Sequence, residues 1–344
     1  MSDEVMSKWY DKSGEQGEIV ISSRVRLARN LNNYPFPNRA TLEQKKEIAQ
    51  RVKRAVEDSN SALNLKFIPM EELTQVQAVS LVEKHLISPE FASDRAGKYL
   101  MLSDDESISI MINEEDHLRI QVLGSGLSLN RVYDTANNID TLLDNALGFA
   151  FNNKLGYLTQ CPTNLGTGMR ASLMLHLPAM ERNHAISRIA GNLTKLGMEL
   201  RGTFGEGSEP KGALYQLSNQ ITLGLSEHSA LENLKNISSQ LIDQEEKSAK
   251  EMAKTIEVQD MVQRSVGLLK TAKLMQNDEA MRLISNVRLG MFTGLIKSED
   301  YAKLNRISEQ IQPATLMAAA KEELTPQQRD VRRAAMLNTE FKDY

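Results

Sequence analysis

The feature that most constrains the fold is a change in the pattern of apolar residues near Ser226. Before this point, short alternating segments typical of strands lie between helical patterns. From position 227 onward, strand-forming residues become rare and apolar residues recur at helical spacing, beginning with Leu231, Leu234, Ile237 and Leu241. A chain of 344 residues can bury two cores. We therefore predict a mixed α and β domain over residues 1–226 and an all-α C-terminal domain over residues 227–344.

The charge balance and the cysteine count exclude several classes of protein. With 41 Lys and Arg against 45 Asp and Glu, the net charge of −4 argues against wholesale nucleic-acid binding, although a balanced total can conceal a local cluster. Cys161 is the only cysteine, and no secretory leader opens the chain, so we expect a reducing, cytoplasmic location. No run of about 18 apolar residues exists that could span a membrane.

Local patterns place the elements of the first part. Thr41 and Gln44 form a capping box that begins a helix reaching Asp58, with an apolar stripe at Leu42, Ile48, Ala49, Val52 and Val56. An alternating strand over 108–112 is expected to pair with 118–123 across an unusually acidic link, 113–117. Further helices are predicted over 132–152 and 181–196, and further strands over 19–21, 156–159, 172–177, 198–201, 214–218 and 221–225.

Five arginines of the first part lie in strand or loop contexts rather than on helix faces. They are Arg24, Arg26, Arg119, Arg170 and Arg201. Arg24 and Arg26 are two residues apart, so on an extended segment both side chains point to one face. Guanidinium groups that converge offer forked donors and permanent positive charge to a phosphate. For each arginine an ordinary surface ion pair is the alternative, and the charge pattern alone does not decide between them.

The most distinctive segment is 161–170. Its residues that permit positive φ, and hence a close backbone approach to a ligand, are Asn164, Gly166 and Gly168. A lone cysteine such as Cys161 is usually an inert small apolar residue, but arginine neighbours could hold it as a thiolate that suits a cationic substrate. The segment lacks the Gly-Lys-Ser/Thr of a Walker A loop.

A second arginine cluster lies near the C-terminus and reads Arg329-Asp330-Val331-Arg332-Arg333-Ala334. Thr325 and Gln328 are typical of a capping box, so a helix is expected to begin there. The first and last arginines of the motif are then one turn apart on one face, close to a helix N-terminus that favours phosphate. From these residues alone, a solvated basic helix face is the stronger alternative.

Four segments resemble those of the guanidino (phosphagen) kinases and occur in the same order. They are 22–26, 113–119, 161–167 and 201–206. The resemblance covers roughly residues 19–226 and implies an α+β catalytic domain, with a mainly antiparallel sheet flanked by helices. Within this superfamily the chain most resembles the bacterial protein-arginine kinases, in which a helical C-terminal domain follows. Kinases of small guanidines carry a helical domain before the catalytic one, and roughly twenty residues before the first arginine motif leave no room for it.

The resemblance implies transfer of the γ-phosphoryl group of ATP to arginine side chains of proteins. It assigns Glu115 and Glu206 to the substrate guanidinium, with Glu115 as the base and Glu206 as a partner that can share this role. Cys161 is assigned an electrostatic part in the same site. The implied ATP-binding residues are Ser22, Ser23, Arg24, Val25, Arg26, His85, Arg119, Arg170, Ala171, Ser172, Leu173, Met174, Arg201, Gly202, Thr203, Phe204, Gly205 and Glu206. The nucleotide itself is expected to hold most of the Mg²⁺ coordination, with no metal site of the protein.

The resemblance also implies regulation and partners. An allosteric phosphoarginine site would comprise Arg329, Asp330, Arg332, Arg333 and Ala334. Expected partners are protein substrates with exposed arginines, a zinc-binding activator protein, a transcriptional repressor and an ATP-dependent protease of the stress response. We expect a homo-oligomer, and we expect neither a nucleic acid nor a membrane as a partner. Two alternatives remain open: a kinase of a free small guanidine such as L-arginine, and a non-catalytic phosphoarginine receptor, against which the set Glu115, Cys161 and Glu206 argues.

Overall fold

An eight-stranded sheet dominates the first part of the chain in the computed structural model, which describes residues 7–59, 63–202 and 210–344. The strands of this sheet are β1 (Val20–Arg29), β2 (Leu65–Pro69), β3 (Tyr99–Ser103), β4 (Ile108–Ile112), β5 (Leu118–Ser125), β8 (Met169–His176), β9 (Met198–Gly202) and β10 (Leu214–Asn219). Their spatial order is β2-β3-β4-β5-β1-β8-β10-β9, and every neighbouring pair is antiparallel. A separate hairpin consists of β6 (Phe151–Asn152) and β7 (Gly156–Tyr157). The predicted mainly antiparallel sheet is confirmed.

Helices flank this sheet and make up the rest of the chain. They are α1 (Leu42–Glu57), α2 (Gln75–Glu83), α3 (Pro89–Ser93), α4 (Leu129–Leu147), α5 (Pro178–Arg182), α6 (Ile186–Lys195), α7 (Glu227–Met252), α8 (Ile256–Thr271), α9 (Asn277–Phe292), α10 (Tyr301–Gln310), α11 (Pro313–Ala320) and α12 (Pro326–Glu340). Residues 227–344 form only helices and their connections, as predicted. Within the described ranges, no helix has the length and apolar character needed to cross a membrane.

Alternation along β1 and β8 gives the centre of the sheet one apolar and one polar face, whereas at β3 and β4 both faces are apolar, with Leu100 and Met111 packed against α2 and α3. On β1, Val25 and Leu27 are buried among the apolar residues of α1, α4, α6 and α7. Arg24 and Arg26 point to the opposite face, as their spacing predicts. The polar side chains at the centre of the sheet therefore lie on the face that α1, α4, α6 and α7 do not cover.

The register of the strands gathers the arginines on this polar face. Arg26 lies directly opposite Arg170 of β8, and Ala28, two residues further along β1, lies opposite Arg119 of β5. Arg201 extends from β9, two strands beyond β8 on the same face. Four strands that are distant in sequence therefore contribute guanidinium groups to one surface.

The C-terminal helices after α7 form a second apolar core and also pack against the rim of the polar face. Glu83, at the end of α2, accepts hydrogen bonds from the backbone N–H groups of Ala314 (2.8 Å) and Thr315 (2.7 Å) at the start of α11. Arg288 of α9 donates to the carbonyl of Gly17 at 2.9 Å. These contacts leave a cavity between the C-terminal helices and the polar face. The domain boundary near residue 226 stays a prediction; side chains of α7 belong to the core of the sheet.

Four local predictions differ from the structure. The helix predicted over 132–152 ends at Leu147, and Phe151–Asn152 form β6 instead. Leu42 of the predicted apolar stripe of α1 is exposed, although the capping box at Thr41 is present. The helix predicted over 181–196 is interrupted between α5 and α6, where His184 adopts a φ of 53°. The segment 221–225 is not a strand, because the Thr222 carbonyl accepts from the backbone of the segment 161–170 instead of joining the sheet.

Candidate active site

The arginine cluster on the polar face concentrates positive charge away from water. Arg24 donates a hydrogen bond from its Nη2 to Oε1 of Gln216 at 2.5 Å. The Nε atom of Arg24 lies 3.4 Å from the Ser172 hydroxyl. Burial, and then repulsion from neighbouring arginines of the cluster, lowers the pKa of Arg24 to about 10. The same causes lower the pKa of Arg26. Charges of one sign held this closely favour the binding of an anion.

Several donors of this cluster have no acceptor among the described residues. The Nε and Nη2 atoms of Arg26 and the Nε atom of Arg201 are buried, and none of them has a hydrogen-bond acceptor among the described residues. Glu199 neutralises part of the cluster, since it pairs with Arg170 and lies 3.4 Å from Nη1 of Arg201. Buried donors without acceptors cost free energy, which a ligand with several oxygens would recover. Such an arrangement is suited to a ligand with several anionic oxygens, such as a polyphosphate.

The acidic turn between β4 and β5 is fixed by its first residue. Asn113 adopts a φ of 64°, in the left-handed region that asparagine tolerates better than most residues. Its side-chain amide donates to the carbonyls of Lys45 and Gly97, both at 2.9 Å. The asparagine therefore anchors the turn to α1 and to the segment that precedes β3.

Two further residues of the turn are also held by the protein. Asp116 accepts from the Asn30 amide at 2.6 Å and from the backbone N–H of Gln160 at 2.7 Å, which ties the turn to the segment 161–170. Nδ1 of His117 accepts from a backbone N–H, and Nε2 lies 2.9 Å from the Pro35 carbonyl. Burial lowers the pKa of His117 to about 4, so the ring stays neutral near pH 7. Asp116 and His117 are therefore engaged by contacts within the protein, so the candidates for other roles in this turn are Glu114 and Glu115.

Glu115 and Cys161 meet at the edge of the arginine cluster. The Glu115 side chain is 36% exposed, and its Oε2 lies 3.9 Å from Nη2 of Arg119. The Cys161 thiol donates a hydrogen bond to the Glu115 carboxylate. Burial, followed by the charge of Asp116, raises the pKa of Glu115. An accessible carboxylate with a raised pKa is suited to accept a proton.

The neighbouring glutamate has a different role. Glu114 pairs with Nη1 of Arg119 at 3.1 Å and accepts from the Ser88 hydroxyl at 2.7 Å. Burial opposes ionisation of Glu114, but Arg119 and these hydrogen bonds lower its pKa overall. Glu114 therefore orients Arg119, whereas Glu115 faces the open side. The other predicted carboxylate, Glu206, lies outside the described residues, as do Thr203, Phe204 and Gly205.

The remaining predicted ATP ligands divide between the two faces of the sheet. Side chains of Ser22, Ser172 and Met174 lie on the polar face, next to Arg24. The opposite face carries Ser23, Val25, Ala171 and Leu173. Gly202, which has no side chain, is the last residue of β9. Ser23 donates to the carbonyl of Gly126 at 2.8 Å, and its three companions are in the core. Those four side chains hold the strands in place.

A cavity of about 80 Å³ continues the arginine cluster toward the C-terminal helices. The sheet side is lined by Ser172, Met174 and His85, and the helical side by Met281 of α9 and Glu309 of α10. Burial and the adjacent arginines lower the pKa of His85 to about 3, which keeps its ring neutral. Burial raises the pKa of Glu309 to about 8. Sequence reasoning missed the helical side of this cavity, because these residues belong to no recognisable motif.

The glycines of the segment 161–170 correct one expectation. At Gly166, with φ of 109°, an added Cβ would lie 2.2 Å from the Thr222 carbonyl oxygen. At Gly168, with φ of 60°, it would lie 2.6 Å from Nη1 of Arg29. Asn164 lies in the 3₁₀ turn Pro162–Asn164 and has no positive φ. The close approaches at both glycines are to the protein's own atoms, so these positions serve the packing of the loop.

Arg29 is the residue that holds this loop, and the sequence did not single it out. Its Nε lies 2.8 Å from Asp140 of α4, and its guanidinium stacks over the Tyr157 ring at 3.5 Å from the centroid. Its Nη1 also donates to the Thr167 carbonyl at 2.9 Å. Arg29 is fully buried and acts as a positioning residue for the segment that carries Cys161.

Comparisons with known proteins give the family of this fold and site. The family model described as ATP:guanido phosphotransferase, C-terminal catalytic domain, matches residues 47–248, and the one described as Protein-arginine kinase McsB C-terminal domain matches residues 255–344. The chain is 46% identical to the protein-arginine kinase of Halothermothrix orenii, over 97% of this chain and 96% of that protein. It is 45% identical to that of Moorella thermoacetica, over 96% of each. The chain belongs to the protein-arginine kinase family of ATP:guanido phosphotransferases.

Solved structures agree with this assignment. The duplicated taurocyamine kinase from Schistosoma mansoni with bound transition state analog components matches 74% of this chain with 25% identity and a TM-score of 0.61. The chain spans only 39% of the length of that duplicated protein. Lombricine kinase matches with 25% identity, 74% coverage of each chain and a TM-score of 0.60. The family predicted from the four sequence segments is confirmed.

The arginine motif at the C-terminus of this family member is less open than the sequence predicts. The capping box at Thr325 begins α12 as expected. Arg333, however, is only 1% exposed, and it donates to the carbonyls of Ile311 (2.9 Å) and Met275 (2.8 Å) and to Asp330 (2.7 Å). Ala334 lies in the second core, Arg329 donates to the Leu324 carbonyl, and Arg332 is exposed beside Glu322. A phosphoarginine site at this motif stays a prediction.

Because of these buried contacts, Arg333→Met is expected to lower the free energy of unfolding by about 3 kcal/mol. The two carbonyls would lose their donor without gaining access to water, and Asp330 would lose its partner. Urea denaturation followed by circular dichroism measures this change. Arg332→Met is the matched control from the same helix and should stay within about 0.5 kcal/mol of the unchanged protein. Equal effects of the two substitutions would contradict a structural role for Arg333.

Proposed function

We propose that this protein transfers the γ-phosphoryl group of ATP to the guanidinium of arginine residues in proteins. The observation that carries the proposal is the arginine cluster with unsatisfied buried donors beside Glu115 and Cys161. High similarity over nearly the whole chain to proteins named protein-arginine kinase supports it. The same similarity disfavours the two alternatives, a kinase of free L-arginine and a non-catalytic receptor.

The arginine cluster would bind the phosphates of ATP. Its five members are Arg24, Arg26, Arg119, Arg170 and Arg201. Phosphoryl transfer requires little covalent chemistry from the protein, so the main task is to neutralise the charge that develops on the phosphate oxygens. The adenine ring of ATP would lie in the adjoining cavity, between Met174 and the side chains of α9 and α10.

The Mg²⁺ ion would be held mainly by the phosphates and would help to neutralise them. In the ranges 7–59, 63–202 and 210–344, the structure has no group of three or more His, Cys, Asp or Glu residues placed to hold a metal ion. Glu199 is already paired with Arg170 and Arg201. In this proposal the protein's own residues position the nucleotide.

The acceptor side of the site would deprotonate the substrate. A guanidinium has a pKa above about 12 and becomes nucleophilic only when it loses a proton. As the nitrogen attacks the γ-phosphorus and the bond to ADP breaks, Glu115 would take this proton. Cys161, hydrogen-bonded to the same carboxylate, would face the positive charge of the substrate. Glu206 is proposed as a second carboxylate of this site.

Mass spectrometry and ³¹P NMR of an arginine-containing protein after incubation with Mg-ATP test the proposal. Samples are kept at neutral to basic pH, because the N–P bond is labile to acid. We expect phosphoarginine in the protein and ADP release that depends on the protein. Phosphate found only on Ser, Thr or Tyr, or no transfer, would contradict the proposal. ADP release with free L-arginine but none with protein would favour a small-guanidine kinase.

The regulatory part of the proposal is carried by resemblance. It comprises a phosphoarginine site at residues 329–334, a homo-oligomer, and action within a stress response. The partners would be a zinc-binding activator protein, a transcriptional repressor and an ATP-dependent protease. A cytoplasmic location belongs to the same proposal.

A further inference from the structure

An open apolar groove lies beside the segment 161–170. Four large exposed apolar side chains line it together, with exposed fractions of 56% for Phe151, 43% for Leu155, 49% for Leu223 and 40% for Leu225. Single exposed apolar residues are ordinary, but a contiguous group of them marks a binding surface. We call this surface the hairpin groove, because β6, β7 and their turn form one of its walls.

Hydrogen bonds join the hairpin groove to the candidate guanidinium site. The Tyr157 N–H donates to the Gly166 carbonyl at 2.8 Å. The Thr222 hydroxyl lies 2.9 Å from the carbonyl of Thr163, whose own hydroxyl is 3.0 Å from the sulfur of Cys161. The groove and Cys161 therefore belong to one rigid unit, and a chain bound in the groove has a defined position relative to the reacting arginine.

The length of the loop limits the distance between the two sites. Gly166 and Thr167 line the groove, and Gly166 is five residues after Cys161. Five residues span at most about 18 Å when fully extended, and the 3₁₀ turn over 162–164 shortens this distance. An extended substrate chain spans the same length per residue. About five substrate residues are therefore enough to extend from the target arginine to the groove.

The exposed area favours a short segment over a second copy of this chain. The four side chains of the groove offer on the order of 300 to 400 Å² of exposed surface. A stable dimer buries about 800 Å² on each partner. The groove is thus too small for a dimer interface by itself, whereas it is adequate for one or two apolar side chains of a polypeptide.

We propose that the hairpin groove docks an apolar side chain of the protein substrate, located within about five residues of the arginine that is phosphorylated. The proposal rests on the proposed function and deepens it by naming a substrate feature. A free guanidine cannot use this groove, so the groove would contribute to the preference for arginine within a polypeptide.

A series of single-arginine peptides tests this inference. One leucine is moved through each position within five residues of the arginine, and the reference peptide has serine at all of these positions. For the unchanged protein, we expect at least one leucine peptide with a KM about 10-fold below that of the reference, and a similar kcat. In the double variant Phe151→Ser, Leu223→Ser this difference should disappear, while the KM for ATP stays the same.

Leu196→Ser is the matched control, because Leu196 is 65% exposed but does not line the groove. It should retain the preference for the leucine peptide. Equal KM values for all peptides with the unchanged protein, or a preference that survives in the double variant, would overturn the docking site. Loss of a dimer in sedimentation of the double variant would instead assign the groove to self-association. If the unchanged protein phosphorylates neither peptides nor proteins, the proposed function itself fails.

Discussion

Glu115→Gln is expected to reduce the rate of phosphoryl transfer by about 10²- to 10⁴-fold, the usual contribution of a general base. Glutamine keeps the shape of the side chain but cannot accept the proton that the guanidinium must lose. Nucleotide affinity should change little, because Glu115 contacts the arginine cluster loosely, 3.9 Å from Nη2 of Arg119. Steady-state ADP release and titration with a fluorescent ADP analogue measure the two quantities separately.

The pH dependence of this reaction offers a second measurement on the same residue. A base must be deprotonated to act, and burial raises the pKa of Glu115. Transfer by the unchanged protein should therefore decline as the pH falls through this raised pKa. Glu43 is exposed on α1, so Glu43→Gln is the control and should leave the rate unaltered. Unchanged turnover in Glu115→Gln would exclude Glu115 as the base and leave Glu206 as the candidate.

Arg26→Met is expected to impair function and to stabilise the fold at the same time. The buried Nε and Nη2 atoms of Arg26 have no acceptor among the described residues, and burial and repulsion from Arg24 lower its pKa. Methionine fills a similar space without the charge or the unsatisfied donors. We expect the free energy of unfolding to rise by about 1 to 3 kcal/mol. Transfer should fall by about 10²- to 10³-fold, as when one donor to a developing charge is removed.

Urea denaturation without nucleotide measures the stability and ADP release measures the transfer rate, while calorimetric titration gives the affinity for ATP. Arg131→Met is the matched control, because Arg131 is exposed on α4 outside the arginine cluster. It should alter neither stability nor ATP affinity. A destabilised Arg26→Met protein that still binds ATP with unchanged affinity would assign Arg26 to the structure rather than to the phosphate site.

Local rules account for the parts of the fold that were predicted correctly. The capping boxes at Thr41 and Thr325 depend on residues three apart, and both helices begin where the sequence indicates. The common face of Arg24 and Arg26 depends only on the two-residue period of a strand. The helical nature of residues 227–344 follows from apolar spacing within single helices. These signals need no knowledge of distant contacts.

The features that the sequence did not indicate depend on distant contacts. The glycines at 166 and 168 are typical of a ligand-binding loop, yet Thr222 and Arg29 occupy the space around them. Arg333 is typical of a solvated or ligand-facing arginine, yet backbone carbonyls from two other segments surround it. In each case the neighbouring atoms come from residues far along the chain, which a local pattern cannot specify.

The sequence by itself determined the family, because motifs are local, and the family resemblance implied the antiparallel α+β class. The two-residue period of a strand also placed Arg24 and Arg26 on one face. Only the tertiary structure decided how these parts meet. Antiparallel register across three strands placed Arg26 opposite Arg170 and brought Arg119 to the same face. Packing of the C-terminal helices on the sheet enclosed the cavity beside Met174 and Glu309. Contacts of this kind form when separate elements bury their surfaces together, so they depend on the whole fold.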